Sequence, residues 1–236
     1  MTESGTEGLE ITRADGVERI ALTRPPRNLL DPPLMDLFRA AIVEADAADD
    51  VRAIVITGSG EMFCGGLDIA QIQAGANPVD FAAALVGLLR VLPGLGKPLI
   101  AAVNGDALAS GYSLACAADI ALAVEDARLG TLEASVGIWP MIAQVPALQR
   151  LQPRHALENL LTGEPFDAQR AYEVGVINRV VPKAELWTEV SRWVELATRA
   201  GAALPAGRRS FYRFVDMSYE DALSASLDEF RRMFET

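Results

Sequence analysis

The sequence contains few of the residues from which metal centres and disulfide frameworks are built. Its 236 residues include one histidine, His155, and two cysteines, Cys64 and Cys116. A single histidine excludes a His-rich metal site, and two cysteines exclude a disulfide framework, although one pair could still form. We therefore predict no metal site, and we expect both cysteines to be small core residues.

Basic residues and long apolar runs are also scarce. The chain has 21 Lys and Arg against 32 Asp and Glu, a net charge of −11 without a basic stripe, so it would repel nucleic acid. The longest apolar runs, residues 99–103 and 114–124, are too short or too interrupted to cross a bilayer. Residues 2–8 are polar and acidic, unlike the apolar core of a signal peptide. These absences predict a soluble, cytoplasmic protein with neither a nucleic-acid nor a membrane partner.

Half of the residues are hydrophobic, which is enough for one domain with a sizeable core and a helical appendage. Alternating polarity around Ala14-Asp15-Gly16 predicts a hairpin, and apolar runs that alternate with amphipathic stretches indicate an α/β chain. The further predicted strands are residues 53–57, 99–103, 120–124 and 128–129. The predicted helices are residues 34–48, 81–91, 111–117, 141–151, 155–161, 168–174, 184–200 and 219–234.

Two of the predicted strands are followed by glycine-bearing turns. One strand, residues 53–57, runs into a glycine turn and then into Gly65-Gly66, which opens a short helix. The other strand, residues 99–103, runs into Asn104-Gly105 and then into Ala109-Ser110-Gly111. A chain that leaves a strand in this way points unpaired backbone N–H groups into one small space. Two such turns could supply the two convergent donors that stabilise an oxyanion.

These turns and two later segments carry a resemblance to a known family. The four segments are Phe63-Cys64-Gly65-Gly66-Leu67-Asp68-Ile69, Asn104-Gly105-Asp106-Ala107-Leu108-Ala109-Ser110-Gly111-Tyr112-Ser113-Leu114, Ala127-Arg128-Leu129-Gly130-Thr131-Leu132-Glu133 and Leu161-Thr162-Gly163-Glu164-Pro165-Phe166-Asp167-Ala168. In this order they resemble the crotonase superfamily, the enoyl-CoA hydratase/isomerase family, and the likeness covers most of the chain.

The resemblance implies an α/β fold, a crotonase-like spiral of ββα turns closed by a C-terminal helical oligomerisation region. The spiral core would cover residues 1–183 and the helical region residues 184–236, which is shorter than usual for the family. The implied substrate is an acyl-CoA thioester, with no cofactor because coenzyme A is part of the substrate. The implied assembly is a homotrimer, or a hexamer of two trimers.

The resemblance also implies positions for an oxyanion hole. Its two backbone N–H donors map to Leu67 and Ser110, beside Gly66 and Gly111. Because the family usually has glycine where this chain has Ser110, we expect the serine Cβ to distort the hole. Asp68 matches the motif, but its place at a helix start favours a structural role. The alternative interpretation is that both turns merely connect strands to helices.

Hydratases of this family use two glutamates, and the chain retains one of them. The glutamate that exchanges a proton at the α-carbon maps to Glu133, whereas Ser113 occupies the position of the glutamate that holds water. A serine hydroxyl can hold a water but cannot titrate near neutral pH. The resemblance therefore favours an isomerase-like or divergent enolate reaction over efficient hydration.

Four further residues are candidates for substrate binding. Arg24 and Arg27 lie beside the first predicted strand, where they could attract the CoA phosphates, although solvated loop charges explain them equally well. Trp139 and Met141 follow Glu133 closely, in a loop that borders the acyl pocket in the family. Core packing explains these two apolar residues about as well.

Three other functions compete with this prediction. Ser113 also resembles the nucleophile of an α/β-hydrolase, but the only available base, His155, lies too early in the chain for that fold. A dinucleotide fingerprint at Gly58 fails because Phe63 occupies the third glycine position. The third alternative is a catalytically silent homologue that binds acyl-CoA or only oligomerises, which the absence of a glutamate at residue 113 favours and Glu133 opposes.

Overall fold

The structure is a computed structural model that describes residues 2–234, with side chains for residues 7–232 and 234. The strands are Thr2–Thr6 (β1), Leu9–Ala14 (β2), Val17–Leu22 (β3), Ala53–Gly58 (β4), Met62–Cys64 (β5), Leu99–Val103 (β6), Asp106–Leu108 (β7), Ile120–Val124 (β8), Arg128–Gly130 (β9), Phe166–Asp167 (β10) and Arg179–Val181 (β11). The helices are Pro32–Ala47 (α1), Ile69–Gln73 (α2), Pro78–Val91 (α3), Ser110–Ala117 (α4), Gln144–Leu148 (α5), Pro153–Thr162 (α6), Ala168–Val174 (α7), Leu186–Ala197 (α8), Leu204–Phe214 (α9) and Tyr219–Phe234 (α10).

The strands form two sheets that the chain visits in turn. The larger sheet has the order β1-β2-β3-β4-β6-β8-β11, and the smaller has the order β10-β9-β7-β5. β4, β6 and β8 pair in parallel in the larger sheet. The strand after each of them, β5, β7 and β9, lies in the smaller sheet, where the three also pair in parallel. Each passage through both sheets is one turn of a spiral, as the resemblance implies.

The spiral is held by a core of apolar residues from the parallel strands and α1. Every residue of β4 and β6 is buried, because elements cover both faces of the parallel part of the sheet. Asp31 caps α1 by accepting from the Leu34 amide, and prolines occupy the first helical positions, where a missing N–H is tolerated. Cys64 and Cys116 are buried and free, so their prediction as core residues is confirmed.

One predicted helix is much shorter than expected. Residues 141–151 were expected to be helical, but only α5 forms, and it begins at Gln144. Pro146 explains the late start, because proline lacks an N–H and is tolerated only in the first helical turn. Six elements have no counterpart among those predicted: β1, β5, β7, β10, β11 and α9. The proposed boundary at residue 183 falls between β11 and α8, and the division into two domains stays a prediction.

A buried ion pair fastens α9 to the spiral. The Arg208 guanidinium donates through Nε and Nη2 to the two carboxylate oxygens of Asp119, at 2.8 and 2.9 Å. It also donates to the carbonyls of Leu92 and Leu95, at 2.9 and 2.6 Å. The Asp119 carboxylate accepts in addition from the Tyr212 hydroxyl, at 2.6 Å. The side chain of Arg208 is 6% exposed and that of Asp119 is 19% exposed, so the pair is largely shielded from water.

Replacing Arg208 by methionine should therefore destabilise the fold by about 3–5 kcal/mol, because it leaves the largely buried Asp119 carboxylate without its cation. The matched control is Arg209→Met, since Arg209 is 54% exposed and lies 3.8 Å from Asp46; its loss should cost less than about 1 kcal/mol. Urea unfolding of the two variants measures the difference. Equal effects would show that the ion pair does not hold α9.

Among the helices that the structure describes, none combines the length and the apolar character needed to span a membrane.

Candidate functional site

The two glycine turns meet in the structure. A Cβ added to Gly66 would lie 2.8 Å from the Cβ of Ala109 and 3.5 Å from the amide nitrogen of Ser110. A Cβ on Gly111 would lie 2.2 Å from the carbonyl oxygen of Cys64. The N-terminus of α4 thus lies so close to the chain just after β5 that neither glycine has room for a side chain.

The amides of Leu67 and Ser110 both lie at this meeting point. Ser110 is the first residue of α4, so its N–H has no acceptor within the helix. Leu67 forms an isolated bridge with Leu30, in which the bonded amides are those of Leu30 and Asp68. Within residues 2–234, neither the Leu67 nor the Ser110 amide meets a hydrogen-bond acceptor. The arrangement thus presents two unpaired N–H donors in neighbouring turns.

The backbone strain expected at Ser110 lies one residue earlier. Ala109 has φ +50° and ψ −116°, a conformation that a residue with a Cβ rarely adopts. Its amide donates to the carbonyl of Gly130 at 2.9 Å, and its carbonyl accepts from the Ser113 amide at 3.2 Å. Ser110 itself is helical and buried, so the serine at this position does not distort the start of α4.

The loop before α1 is hydrogen-bonded to the first of the two glycine turns, the one that contains Gly65 and Gly66. Asn28 is fully buried, and its side-chain amide donates to the carbonyls of Ser59 and Met62, at 3.0 and 2.7 Å. The Gly65 amide donates to the carbonyl of Arg27 at 2.8 Å. Sequence reasoning missed Asn28; the only signal was its place after two prolines in a loop beside the first strand.

The two candidate arginines of this loop have different surroundings. Arg24 is paired with Asp31 at 2.5 Å, so it is bound to the cap of α1. Burial alone would raise the pKa of Asp31, but the Leu34 amide and the Arg24 guanidinium together hold it below its usual value. Arg27 is exposed and has no ion pair among the described residues. Of the two cations, Arg27 is the one available to a ligand.

Asp68 has the structural role that its position suggested. It is the N-cap of α2 and accepts from the Gln71 amide at 3.4 Å and from the Gln71 side chain at 2.9 Å. Since Asp68 follows Leu67 directly, this cap fixes the direction in which the chain leaves the first glycine turn.

Glu133 opens a 3₁₀ turn, Glu133–Val136, three residues after the end of β9. Its carboxylate is half-buried and accepts from the Leu132 amide at 2.8 Å. The preceding strand pairs with β7, and its last residue, Gly130, accepts the bond from Ala109. The residue three positions before Glu133 is therefore bonded directly to the second glycine turn, the one that contains Ala109 and Ser110.

Ser113 is not placed to hold a solvent water, although a serine hydroxyl could do so. The side chain is fully buried, and its hydroxyl lies 2.9 Å from the carbonyl of Ala143 and 3.3 Å from that of Ala109. The hydroxyl proton is therefore donated to the backbone, and it links α4 to the residues before α5. The hydrolase alternative gains no support, because a nucleophile must be exposed and His155 contacts Arg170 and Glu158 instead.

An apolar cavity of about 510 Å³ lies further along α4. Cys116 and Ala117 line it, and they share one helical face with Ser113. Its other apolar walls are Val86, Leu89, Leu92, Pro93, Met141, Ile142, Val145, Pro146, Phe211 and Val215. Met141 is thus at the cavity, whereas Trp139 is not among its lining residues and donates from Nε1 to Gln144 at 3.1 Å.

The fold agrees with what comparison with known proteins shows. The family model for enoyl-CoA hydratase/isomerase matches residues 12–236. The chain belongs to this family. The crystal structure of an enoyl-CoA hydratase/isomerase family protein from Silicibacter pomeroyi superposes with a TM-score of 0.89, at 30% identity, over 96% of this chain and 99% of that one. The crotonase-like spiral with C-terminal helices is thereby confirmed.

Two curated relatives of the chain are similar to it over different shares of their own length. Carnitinyl-CoA dehydratase of Proteus mirabilis is 33% identical over 220 residues, which cover 92% of this chain and 84% of the relative. The glyoxysomal fatty acid beta-oxidation multifunctional protein of Brassica napus is 35% identical over 202 residues, or 83% of this chain. The chain spans only 28% of that longer protein.

Proposed function

We propose that the chain is an enzyme that acts on an acyl-CoA thioester through an enolate held by the Leu67 and Ser110 amides. Glu133 is its one acid/base group. The observation that carries the proposal is the close approach of the two turns. It brings two unpaired N–H groups together, that of Ser110 at the start of α4 and that of Leu67 in the neighbouring turn. A helix N-terminus also carries positive potential, which favours the developing oxyanion.

In the proposed mechanism the thioester oxygen accepts from both amides. The Glu133 carboxylate takes a proton from the α-carbon, and the C–H electron pair moves into the enolate, whose negative charge lies on the thioester oxygen. When the substrate has a β,γ double bond, the same carboxylic acid returns the proton to the γ-carbon. The double bond then moves to the α,β position, and Glu133 regains its charge.

Ser113 argues against efficient hydration. A second carboxylate would be needed to position and activate water, and general acid–base catalysis contributes about 10²–10⁴ in rate. The Ser113 hydroxyl cannot supply this, because it is buried against two backbone carbonyls. The name of the Proteus mirabilis relative supports chemistry on a CoA thioester, but it does not require the same reaction here.

The cavity along α4 is suited to the apolar part of the acyl group. It continues the helical face on which Ser113 lies, away from the Ser110 amide, and Met141 contributes to its wall. Arg27 lies on the loop that contacts Gly65, so its exposed guanidinium is a candidate for the CoA phosphates. Arg24, bound to Asp31, would contribute less.

The experiment that tests this function is a panel of CoA thioesters with saturated, trans-2 and cis-3 acyl chains of increasing length. We expect incorporation of solvent deuterium at the α-carbon and isomerisation of a cis-3 substrate, with hydration well below about 10 s⁻¹, the median turnover of enzymes. A protein that binds these thioesters without exchange or turnover would be the silent homologue, which the absence of a titratable group at residue 113 favours as a second candidate. Hydration at typical enzymatic rates would show that the interpretation of Ser113 is wrong.

We also infer that the chain assembles as a homotrimer, or as a hexamer of two trimers, in the cytoplasm. Four apolar residues lie on one exposed face of α10 at a spacing of three and four: Leu223, Leu227, Phe230 and Phe234. An apolar stripe of this kind is typical of a helix that packs against a partner. Light scattering at micromolar concentration should give three or six times the chain mass, and a monomeric mass would contradict the assembly.

A further inference from the structure

A buried asparagine on α6 holds the segment that carries Glu133. Asn159 is 1% exposed, and its side-chain oxygen accepts from the Thr131 amide and the Thr131 hydroxyl, both at 2.8 Å. Its side-chain nitrogen donates to the carbonyls of Thr131 and Glu164, at 3.0 and 2.9 Å. All four hydrogen-bonding positions of the amide are therefore used, and three of them bind one residue, two positions before Glu133.

Among the residues that the structure describes, the Glu133 segment has no other hydrogen-bonded tie to the rest of the chain. The remaining bonds of residues 131–138 run within the segment, as from the Ser135 amide to Leu132 and from the Ile138 amide to Glu133. In the part of the chain that the structure describes, every hydrogen bond between residues 131–138 and other residues involves Asn159. Asn159 thus makes all of the hydrogen bonds that tie this segment to the rest of the described chain.

Asn159 also lies on a short hydrogen-bonded path between Glu133 and the second turn. Thr131, which it binds, follows Gly130, whose carbonyl accepts from the Ala109 amide at 2.9 Å. Ala109 precedes Ser110, so one short path joins the asparagine to Glu133 on one side and to the Ser110 amide on the other. A shift at Thr131 would move the carboxylate relative to the oxyanion donor.

We propose that Asn159 is the positioning residue that fixes the Glu133 carboxylate relative to the Ser110 amide. The inference rests on the proposed role of Glu133 as the group that moves the α-proton. Asn159 does not touch substrate; it acts by making the carboxylate reach the α-carbon while the thioester oxygen stays between the two amides.

The test compares Asn159→Leu, which removes all four bonds at similar volume, with Thr131→Val, which removes only the hydroxyl bond. We expect α-proton exchange to fall about 10²-fold in Asn159→Leu, the cost of a misplacement of about 1 Å, and less in Thr131→Val. The Kd of a saturated acyl-CoA should stay unchanged in both. Leu160→Ala, a neighbouring core substitution on α6 that removes no hydrogen bond to Thr131, controls for lost stability and should keep the exchange rate of the parent at a temperature where it is folded.

A double-mutant cycle with Glu133→Gln separates positioning from a general loss of structure. Because Asn159 acts through Glu133, Asn159→Leu should have no further effect in the Glu133→Gln background. The inference would be overturned if Asn159→Leu slowed α-proton exchange equally in the parent and in the Glu133→Gln background, or if Leu160→Ala slowed exchange as much as Asn159→Leu. Exchange that survives in Glu133→Gln alone would instead overturn the proposed function.

A crystal structure of Asn159→Leu gives a readout that needs no activity. The inference predicts that residues 131–136 move and that the Glu133 carboxylate leaves its present position. A folded variant with the Glu133 carboxylate unmoved would overturn the inference, even if no thioester of the panel is turned over.

Discussion

Replacing Gly66 by alanine is expected to abolish turnover of acyl-CoA thioesters in a folded protein. The new Cβ would lie 2.8 Å from the Cβ of Ala109 and 3.5 Å from the Ser110 nitrogen, so the two turns must separate or the space between the donors must fill. Loss of a single oxyanion donor costs about 10²–10³ in rate. We therefore expect a loss of at least that size, measured as the rate of α-proton exchange.

The control for this substitution is Gly75→Ala. Gly75 has φ +108°, close to the +99° of Gly66, but no heavy atom lies within 4 Å of its added Cβ. Both variants carry the backbone strain of alanine at positive φ, but only the Cβ at residue 66 enters the space between the two turns. The double variant Gly66→Ala with Ala109→Gly removes the closest contact and should recover part of the rate. Equal losses in the two single variants would show that the meeting of the turns is not the reason for activity.

The second large effect is expected for Glu133→Gln. The amide preserves the shape of the side chain but cannot accept the α-proton, so exchange should fall by about 10²–10⁴ while binding of the thioester is retained. Glu164→Gln is the matched control, because Glu164 is an exposed carboxylate near the same loop and pairs only with Arg128 among the described residues. Mass spectrometry of deuterium incorporation measures both variants. An unchanged rate in Glu133→Gln would exclude the single-glutamate mechanism.

Elements defined by local pattern were predicted well from the sequence. The bounds of β6 and β8 were predicted to the residue, because both strands are short apolar runs buried in a parallel sheet. The hairpin of β2 and β3 also follows from its turn residues. By contrast, α9 was missed, since its place depends on Arg208 reaching Asp119, which is 89 residues away along the chain.

The candidate site was predicted in its backbone but not in its side-chain contacts. Glycine spacing located the two turns, because close approach of backbones leaves a sequence signal at Gly66 and Gly111. The burial of Ser113 depends on the carbonyl of Ala143, and the support of Glu133 depends on Asn159. Such contacts join residues 28 to 30 positions apart, and no local pattern predicts them.

The central claim is that the Leu67 and Ser110 amides together hold the thioester oxygen of an acyl-CoA. A crystal structure of the protein with a saturated acyl-CoA bound tests this most directly. The proposal predicts the thioester oxygen within about 3.5 Å of both amide nitrogens, with the Glu133 carboxylate beside the α-carbon. A bound thioester whose oxygen lies further than that from both nitrogens would contradict it.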